Sequence, residues 1–203
     1  MMKIPSYDCR LCNLVSVNAR GNMPDSYFNH KLHETERFIV TPCIGPFEMG
    51  HVLVTSKEHH LSVAAMGPEA IPEILTIMQV AIEKSDIYAE SLITEHGSTY
   101  DEEGGACITH AHVHIIPLHG KHFSALDGQL QLLEISGIEQ LHTVQDPYIL
   151  CMTMNGDRRV YAAYNSHSQM VRKTLCRITG RLDTDWAVQP NIPDVIESIS
   201  LWT

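Results

Sequence analysis

The chain has 203 residues, 44% of them hydrophobic, as expected of a globular protein with one large domain or one domain and a smaller appendage. With 24 acidic and 14 basic residues, its net charge is −10, which argues against polymeric nucleic acid or an anionic membrane as a partner, because both need a basic face. Eleven of its thirteen histidines lie between His30 and His122, and such clustering indicates metal or phosphate chemistry.

The first 25 residues have a polar, irregular pattern that includes Cys9 and Cys12 at C-x-x-C spacing. Residues 1–8 lack the apolar stretch of a signal peptide, and no segment approaches the roughly 20 apolar residues of a membrane span. We therefore expect a cytoplasmic protein with reduced thiols. In that setting the cysteine pair indicates a metal site, as half of a tetrahedral zinc site, or a redox pair, or alternatively two unpaired thiols.

The middle of the chain predicts alternating strands and helices. In chain order, these are a strand at 37–42, a strand at 51–55, a long helix at 68–87, a strand at 89–94 and a strand at 107–118. The helix is indicated by apolar residues that recur at helical spacing. An acidic, glycine-rich loop at 95–105 precedes the last strand.

Beyond residue 120 the pattern changes, and we expect a boundary there. The predicted elements are a possible helix at 123–134, a hairpin of 148–154 and 159–164 around Asn155-Gly156-Asp157, and a helix at 168–179 with Gly180 as its C-cap. The chain would thus consist of a first domain at 1–120 and a small α+β extension at 121–203.

Three histidines alternate with apolar residues in the strand predicted at 107–118. His110, His112 and His114 would project from one face of that strand, spaced about 6.5–7 Å apart, while Ala111 and Val113 would face the core. From spacing alone, the three imidazoles could belong to a solvated face, a metal site or a phosphate site.

This segment resembles the HφHφHφφ signature of the histidine triad superfamily, in which φ is an apolar residue. The match extends upstream, where residues 50–59 (GHVLVTSKEH) resemble the family's GHxLVxPKxH segment with Ser56 in place of proline. The resemblance covers roughly residues 9–120. It implies an α+β fold, with an antiparallel sheet of about five strands and one long helix, and a homodimer formed through the sheet.

The resemblance also implies chemistry at the α-phosphorus of a nucleotide. His112 would be the nucleophile that forms a nucleotidyl-imidazole intermediate, and His51 and His114 would bind the phosphate and assist catalysis. A neutral imidazole suits this role because it is nucleophilic near pH 7. The implied activity is hydrolysis of a phosphoanhydride or phosphoramidate. The alternatives are a nucleotidyltransferase or phosphorylase acting on a dinucleoside polyphosphate or nucleotide sugar, or a zinc-stabilised nucleotide-binding protein with little turnover.

Four further positions acquire roles from the resemblance as ligands of a structural Zn²⁺. They are Cys9, Cys12, His59 and His110, with His60 as the alternative to His59. A Cys₂His₂ set is chemically sound for zinc.

Substrate contacts depart from the family pattern at several positions. Glu95 stands near the usual place of a phosphate-contacting asparagine, and Cys107 stands where some members have a serine near the leaving group. Cys43 replaces an acidic residue that holds the ribose hydroxyls. In the extension, basic residues such as Arg172 and Lys173 could supply cations to the site, or belong to a solvated helix face.

Overall fold

The structure, a computed structural model, describes residues 9–19, 29–98, 108–118, 124–164, 166, 169–181 and 191–203. Its strands are β1 (His33–Glu34), β2 (Phe38–Pro42), β3 (Val52–Ser56), β4 (Leu92–Gly97), β5 (His112–Ile116), β6 (Tyr148–Met152) and β7 (Arg158–Ala162). Its α-helices are α1 (Arg10–Ala19), α2 (Ala70–Lys84), α3 (Met170–Thr179) and α4 (Ile192–Ser200). The predicted α+β class is confirmed.

All of these strands belong to one antiparallel sheet, with the order β1-β2-β3-β5-β4-β6-β7. The prediction of about five strands is therefore low by two. The difference arises because the C-terminal hairpin continues the sheet, with β6 pairing to β4 from Ile93↔Met152 to Gly97↔Tyr148. Gly156 turns the hairpin at a positive φ of 95°, which favours glycine.

One face of the sheet is covered by α2. Period-two alternation along the strands sends one set of side chains to this face, where they are fully buried against the helix. The shared core contains Val54 of β3, Val113 of β5 and Leu150 of β6, together with Ile74 and Met78 of α2. These residues pack the central strands firmly against α2, and the alternate side chains of the same strands lie on the opposite face of the sheet.

The opposite face of the sheet packs against α3. Leu175 and Cys176 of this helix are buried against Ile116 of β5 and Ile149 of β6. Gly180 ends the helix in the left-handed conformation, with φ 69°, as its predicted C-cap role requires. Residues from the predicted extension thus lie over the face of the sheet that carries the alternate side chains of β5.

The structure differs from the sequence-based prediction in three segments. The N-terminal segment expected to be irregular contains α1, which buries Leu11 and Leu14 on one side. The possible helix at 123–134 is wrong for the described residues 124–134, which form a short 3₁₀ turn and an extended stretch in which Leu132 pairs with Tyr161. Helix α4 was not predicted. Trp202, which follows this helix, donates a hydrogen bond to the Tyr88 hydroxyl at 2.8 Å.

Both edges of the sheet are short or covered. β1 has two residues. The outer edge of β7 is bonded by the chain itself, because Leu133 N donates to Val160 O at 2.7 Å and Ala162 N donates to Gln131 O at 2.8 Å. Covering an edge in this way blocks strand addition from another chain. Among the helices of the described residues, none is long and apolar enough to cross a membrane.

Candidate active site and metal centre

A row of three imidazoles lies on the face of the sheet that α3 covers. His112 and His114 project from alternate positions of β5, with ring centroids 5.2 Å apart, and His51 continues the row with its centroid 5.1 Å from that of His114. His51 follows Gly50, whose φ of 82° lies in the left-handed region that favours glycine. The structure therefore brings together the three residues predicted to act on phosphate.

Backbone partners fix which nitrogen of each ring carries the proton. Phe47 N donates to His51 Nδ1 at 2.9 Å, so the proton of His51 is on Nε2, which donates to His114 Nδ1 at 2.9 Å. His114 consequently carries its own proton on Nε2. His112 donates from Nδ1 to His110 O at 2.6 Å, so its Nε2 keeps a lone pair. The row thus contains one nucleophilic nitrogen beside one N–H donor.

Burial keeps these imidazoles neutral. It lowers the pKa of His51 to about 3, with the nearby Arg172 charge as a smaller cause, and it holds the pKa of His114 well below its ordinary value. The pKa of His112 is also lowered by burial. A neutral His112 near pH 7 retains the lone pair that nucleophilic attack requires.

The imidazole row forms part of a cavity of about 380 Å³. Apolar side chains from α1, the loop after β2, β3, the stretch before β5, β5 itself and α3 complete its walls: Leu11, Leu14, Ile44, Phe47, Leu53, Ile108, Ile116, Met170, Val171 and Leu175. A largely apolar cleft with a few convergent polar groups is typical of a small-molecule site, and this volume suits a nucleotide-sized ligand.

Helix α3 brings Arg172 to this cavity. Its Nη1 donates to Gly45 O at 2.9 Å, in the loop between β2 and β3. Its neighbour Lys173 is exposed, and Arg177 near the end of the helix is exposed as well. Of these three basic residues of α3, Arg172 lines the cavity.

His96 is a site residue that the sequence reasoning missed. It lies on β4 and lines the same cavity as His112 and His114. The pairing of Thr94 with His114, continued by two residues, places His96 opposite His112 on the neighbouring strand. Its Nε2 lies 2.9 Å from Ser166 Oγ. Period-two alternation from Thr94 would have pointed to this residue, had the predicted strand not ended at Thr94.

Glu95 lies on the other face of β4 and is not part of the site, so its prediction as a substrate contact is corrected. Its side chain is 1% exposed, Oε1 accepts from Val63 N at 2.7 Å, and Oε2 accepts from the Tyr148 hydroxyl. Neighbouring residues of a strand face opposite ways, so Thr94 and His96, on either side of Glu95, line the cavity instead. Cys107, the other substrate candidate, lies outside the described residues; Cys43 is buried and lines the cavity.

A second cluster combines the four residues predicted to bind metal. Cys9, Cys12, His59 and His110 place one donor atom each within 4.8 Å of all the others. Sγ of Cys12 lies 3.2 Å from His59 Nδ1 and 3.4 Å from His110 Nδ1, and Cys9 Sγ lies 3.4 Å from the same His110 nitrogen. His60 does not share this cluster, and its Nε2 lies 3.8 Å from Glu58 Oε2.

These distances fit a tetrahedral zinc ion. Bonds of about 2.3 Å to sulfur and about 2.0 Å to nitrogen, at tetrahedral angles, place S and N about 3.5 Å apart. The other nitrogen of His110, Nε2, donates to Ser56 O at 2.8 Å, which leaves Nδ1 unprotonated for the metal. The residues therefore form a site that could hold a structural Zn²⁺.

The metal cluster and the cavity share two elements. Helix α1 begins directly after Cys9, contains Cys12 and contributes Leu11 and Leu14 to the cavity wall. His110 lies two residues before His112, the first residue of β5, and its carbonyl oxygen accepts the hydrogen bond that fixes the His112 tautomer. Metal binding would thus hold in place both α1, which forms part of the cavity wall, and the segment that leads into β5.

Cys43, His51 and His114 form another group whose donor atoms approach one another within 4.8 Å. We do not assign a metal to it, because the imidazole nitrogens are already committed. His51 Nδ1 accepts from Phe47 N, and its Nε2–H is bonded to His114. A metal on either ring would break this hydrogen-bonded chain.

The structure resembles histidine triad proteins over about half of its length. A hypothetical histidine triad nucleotide-binding protein from Sulfolobus tokodaii is 24% identical, with a TM-score of 0.38, over 52% of this chain and 68% of that protein. A zinc-bound histidine triad family protein from Mycobacterium smegmatis is 25% identical, with a TM-score of 0.40, over 54% of this chain and 74% of that protein. No protein-family model and no curated protein matches the chain.

Proposed function

We propose that this chain is a histidine triad nucleotide hydrolase that acts at the α-phosphorus through a nucleotidyl intermediate on His112. The observation that carries the proposal is the pair of fixed tautomers. His112 has its Nδ1–H bonded to His110 O and an unprotonated Nε2, and the adjacent His114 has a protonated Nε2. A nucleophile beside a hydrogen-bond donor is an arrangement suited to phosphoryl transfer.

In the first step, the lone pair of His112 Nε2 forms a bond to the α-phosphorus. The bond from phosphorus to the leaving oxygen or nitrogen breaks, and the leaving group takes the electron pair and then a proton. His112 becomes a positively charged N-phosphoryl imidazole, which the bond from its Nδ1–H to the His110 carbonyl stabilises. The Nε2–H of His114 donates to a phosphoryl oxygen and offsets the negative charge that develops there.

In the second step, water attacks the phosphorus. The bond to His112 Nε2 breaks, the nitrogen recovers its lone pair, and a nucleoside monophosphate is released as the water gives up a proton. Inorganic phosphate or another acceptor in place of water would make the protein a phosphorylase or a transferase, and product analysis separates these activities.

The nucleoside would occupy the apolar part of the cavity. The residues that line this part are Leu11 and Leu14 of α1, Leu53 of β3, and Met170 and Val171 of α3. Apolar walls bind a base through its faces without selecting its edges, so they support binding of a nucleoside and leave the base to be identified by experiment.

A structural Zn²⁺ on Cys9, Cys12, His59 and His110 completes the proposal. Its role is to hold α1 and the start of β5, since the ligands come from these segments and the loop after β3. Thiolate ligands survive in a reducing compartment, which supports a cytoplasmic location. The domain boundary near residue 120 is a proposal that the chain divides into a first domain at 1–120 and an extension at 121–203, whose hairpin continues the same sheet.

A homodimer remains the proposed assembly, but not through pairing of sheet edges. Among the described residues, β1 is too short for such pairing, and the outer edge of β7 is already bonded to residues 131–133. A dimer would therefore use a helical face or loops. No polymeric nucleic acid or membrane is proposed as a partner, given the net charge of −10.

Turnover by purified protein tests the proposed activity. Release of nucleoside monophosphate from phosphoanhydride and phosphoramidate substrates would be measured for the wild type, His112→Asn and the control His142→Ala, whose side chain is exposed on a distant 3₁₀ helix. We expect His112→Asn to lose at least a thousandfold in kcat and His142→Ala to match the wild type. Undiminished turnover by His112→Asn would refute the mechanism.

A further inference from the structure

The loop between β2 and β3 is held by helices from the C-terminal part of the chain. This loop, residues 43–51, has no regular secondary structure. Arg172 of α3 donates to Gly45 O at 2.9 Å, and Gly50 N donates to the Ser198 hydroxyl of α4 at 2.9 Å. Backbone groups that no strand or helix pairs need partners elsewhere, and here α3 and α4 supply some of them.

Arg181, two residues beyond the end of α3, makes three contacts with the middle of this loop. Its Nη1 donates to Phe47 O at 2.9 Å, and its Nη2 pairs with the Glu48 carboxylate. Its Cζ lies over the face of the Phe47 ring, 5.3 Å from the ring centroid. A planar guanidinium can bind a carbonyl, a carboxylate and an aromatic face at the same time. Both the backbone and the ring of Phe47 are therefore fixed by one side chain.

Phe47 connects this contact to the imidazole row. Its N–H donates to His51 Nδ1 at 2.9 Å, and His51 Nε2 donates to His114 Nδ1 at 2.9 Å. The backbone of His51 is bonded to the same part of the loop, since His51 N donates to Glu48 O at 3.1 Å. A continuous series of contacts thus leads from Arg181 to His114, whose Nε2–H is the donor to the phosphoryl oxygen in the proposed reaction.

The direction of the hydrogen bonds in this series decides which nitrogen of His114 carries the proton. Both tautomers of a neutral imidazole are accessible, and the hydrogen-bond partners select one of them. Without the Phe47 N–H, His51 could carry its proton on Nδ1 and accept at Nε2 from His114 Nδ1–H. His114 Nε2 would then hold a lone pair, which repels a phosphoryl oxygen instead of donating to it.

We propose that Arg181 is a positioning residue for the reaction. By fixing Phe47, it holds His51 in the tautomer that leaves the proton of His114 on Nε2. This inference rests on the proposed function, which assigns the phosphoryl oxygen to the His114 N–H. It gives the C-terminal part of the chain a role in the chemistry, although Arg181 itself contacts neither the imidazole row nor the substrate.

Nitrogen NMR of the histidine rings tests this assignment without any need for turnover. Zinc-loaded protein labelled with nitrogen-15 would be observed at neutral pH, where protonated and unprotonated ring nitrogens have distinct chemical shifts. The variants are Arg181→Met, Arg181→Lys and the control Arg177→Met, which removes an exposed charge from α3. The Arg181 side chain is 43% exposed, so Arg181→Met should fold, and urea denaturation checks this.

In the wild type and in Arg177→Met, we expect the Nε2–H tautomer of His51 and His114 and the Nδ1–H tautomer of His112. In Arg181→Met, His51 and His114 should shift toward the opposite tautomer. His112 should keep its form, because its Nδ1–H has a separate backbone acceptor. Arg181→Lys should give an intermediate result. Unchanged tautomers of His51 and His114 in Arg181→Met overturn the proposal, and so does an equal change at His112, which indicates a general loosening of the site.

Kinetics separate the positioning role from a loss of substrate binding. Since the His114 N–H offsets charge that develops in the transition state, Arg181→Met should lower kcat about tenfold or more while KM changes less than about threefold. Altered tautomers with an unchanged kcat would overturn the role in the reaction. If Arg181→Met does not fold, Glu48→Gln decides, because it removes the carboxylate that orients the guanidinium; unchanged tautomers in Glu48→Gln would then overturn the proposal. Tautomers that depend on Arg181 in a protein without turnover would retain this positioning and refute the hydrolase.

Discussion

The raised pKa of Glu95 predicts that the free energy of unfolding falls as pH rises, and that substitution of Glu95 abolishes this fall. The carboxyl is buried on the α2 side of the sheet, with bonds from Val63 N and the Tyr148 hydroxyl. Burial, partly offset by these bonds, raises its pKa from 4.5 to about 7. The folded protein therefore binds this proton more tightly than the unfolded chain does.

The sign and size of the effect follow from linkage. Between pH 4.5 and pH 7 the folded state holds the Glu95 proton while the unfolded state releases it, so the free energy of unfolding falls as pH rises through this range. A shift from 4.5 to about 7 corresponds to about 3 kcal/mol at 1.36 kcal/mol for each unit of pKa. The contribution of the protonated carboxyl is complete below pH 4.5 and is lost above pH 7.

Urea denaturation of zinc-loaded protein between pH 5 and pH 8 measures this contribution. Relative to the wild type, we expect Glu95→Gln to gain up to about 3 kcal/mol of stability as pH rises, because the amide cannot ionise. The matched control Glu83→Gln alters an exposed carboxylate of α2 and should show a constant difference from the wild type. Other titrating groups cancel in these differences.

A difference between Glu95→Gln and the wild type that does not change with pH would refute the reasoning about this carboxyl. The same variant also tests its exclusion from the site. Since Glu95 lies on the face of β4 opposite the imidazole row, kcat/KM of Glu95→Gln should remain within about threefold of the wild type at pH 6, where both proteins are folded.

Three further substitutions test the metal centre, His96, and Ser56, which stands where the family segment has proline. Cys12→Ser should lower bound zinc, measured by metal analysis, from one ion per chain to a small fraction. It should also lower Tm by more than about 5 °C, because it removes a ligand that fixes α1. A full zinc complement in this variant would exclude the assigned ligand set. His96→Asn should reduce kcat/KM about tenfold with unchanged zinc content, since His96 lines the same cavity as His112, and unchanged kinetics would remove His96 from the site. Ser56→Pro should cost about 1–3 kcal/mol in urea denaturation, because Ser56 N donates to Ala111 O at 3.0 Å and proline has no N–H to donate; equal stability would show that this bond contributes nothing.

The sequence predicted the triad and metal residues because their signals are local or strongly patterned. Alternation through His110, His112 and His114 places His112 and His114 on one face of a strand, and the C-x-x-C spacing marks Cys9 and Cys12 as a pair. The structure joins these two signals over a separation of 101 residues between Cys9 and His110, a contact that only the resemblance anticipated.

Other features could not be derived from local patterns. The β4 prediction was displaced by three residues and left Glu95 and His96 outside the strand, so alternation could not assign them to opposite faces, and Glu95 was chosen from the resemblance alone. The approach of Ser166 to His96 and of Arg172 to Gly45 depends on where the hairpin and α3 dock. No periodicity within those segments specifies their partners elsewhere in the chain.

Trapping the covalent intermediate tests the central claim most directly. Zinc-loaded protein would be mixed with substrate labelled at the α-phosphate and quenched in base, which preserves phosphoramidate bonds, and the labelled residue would be identified by mass spectrometry. The proposed chemistry predicts one nucleotidyl group on His112, present in wild type and in the control His142→Ala, and absent in His112→Asn. A label on another residue, or turnover with no label on His112 at any quench time, would contradict the proposed mechanism.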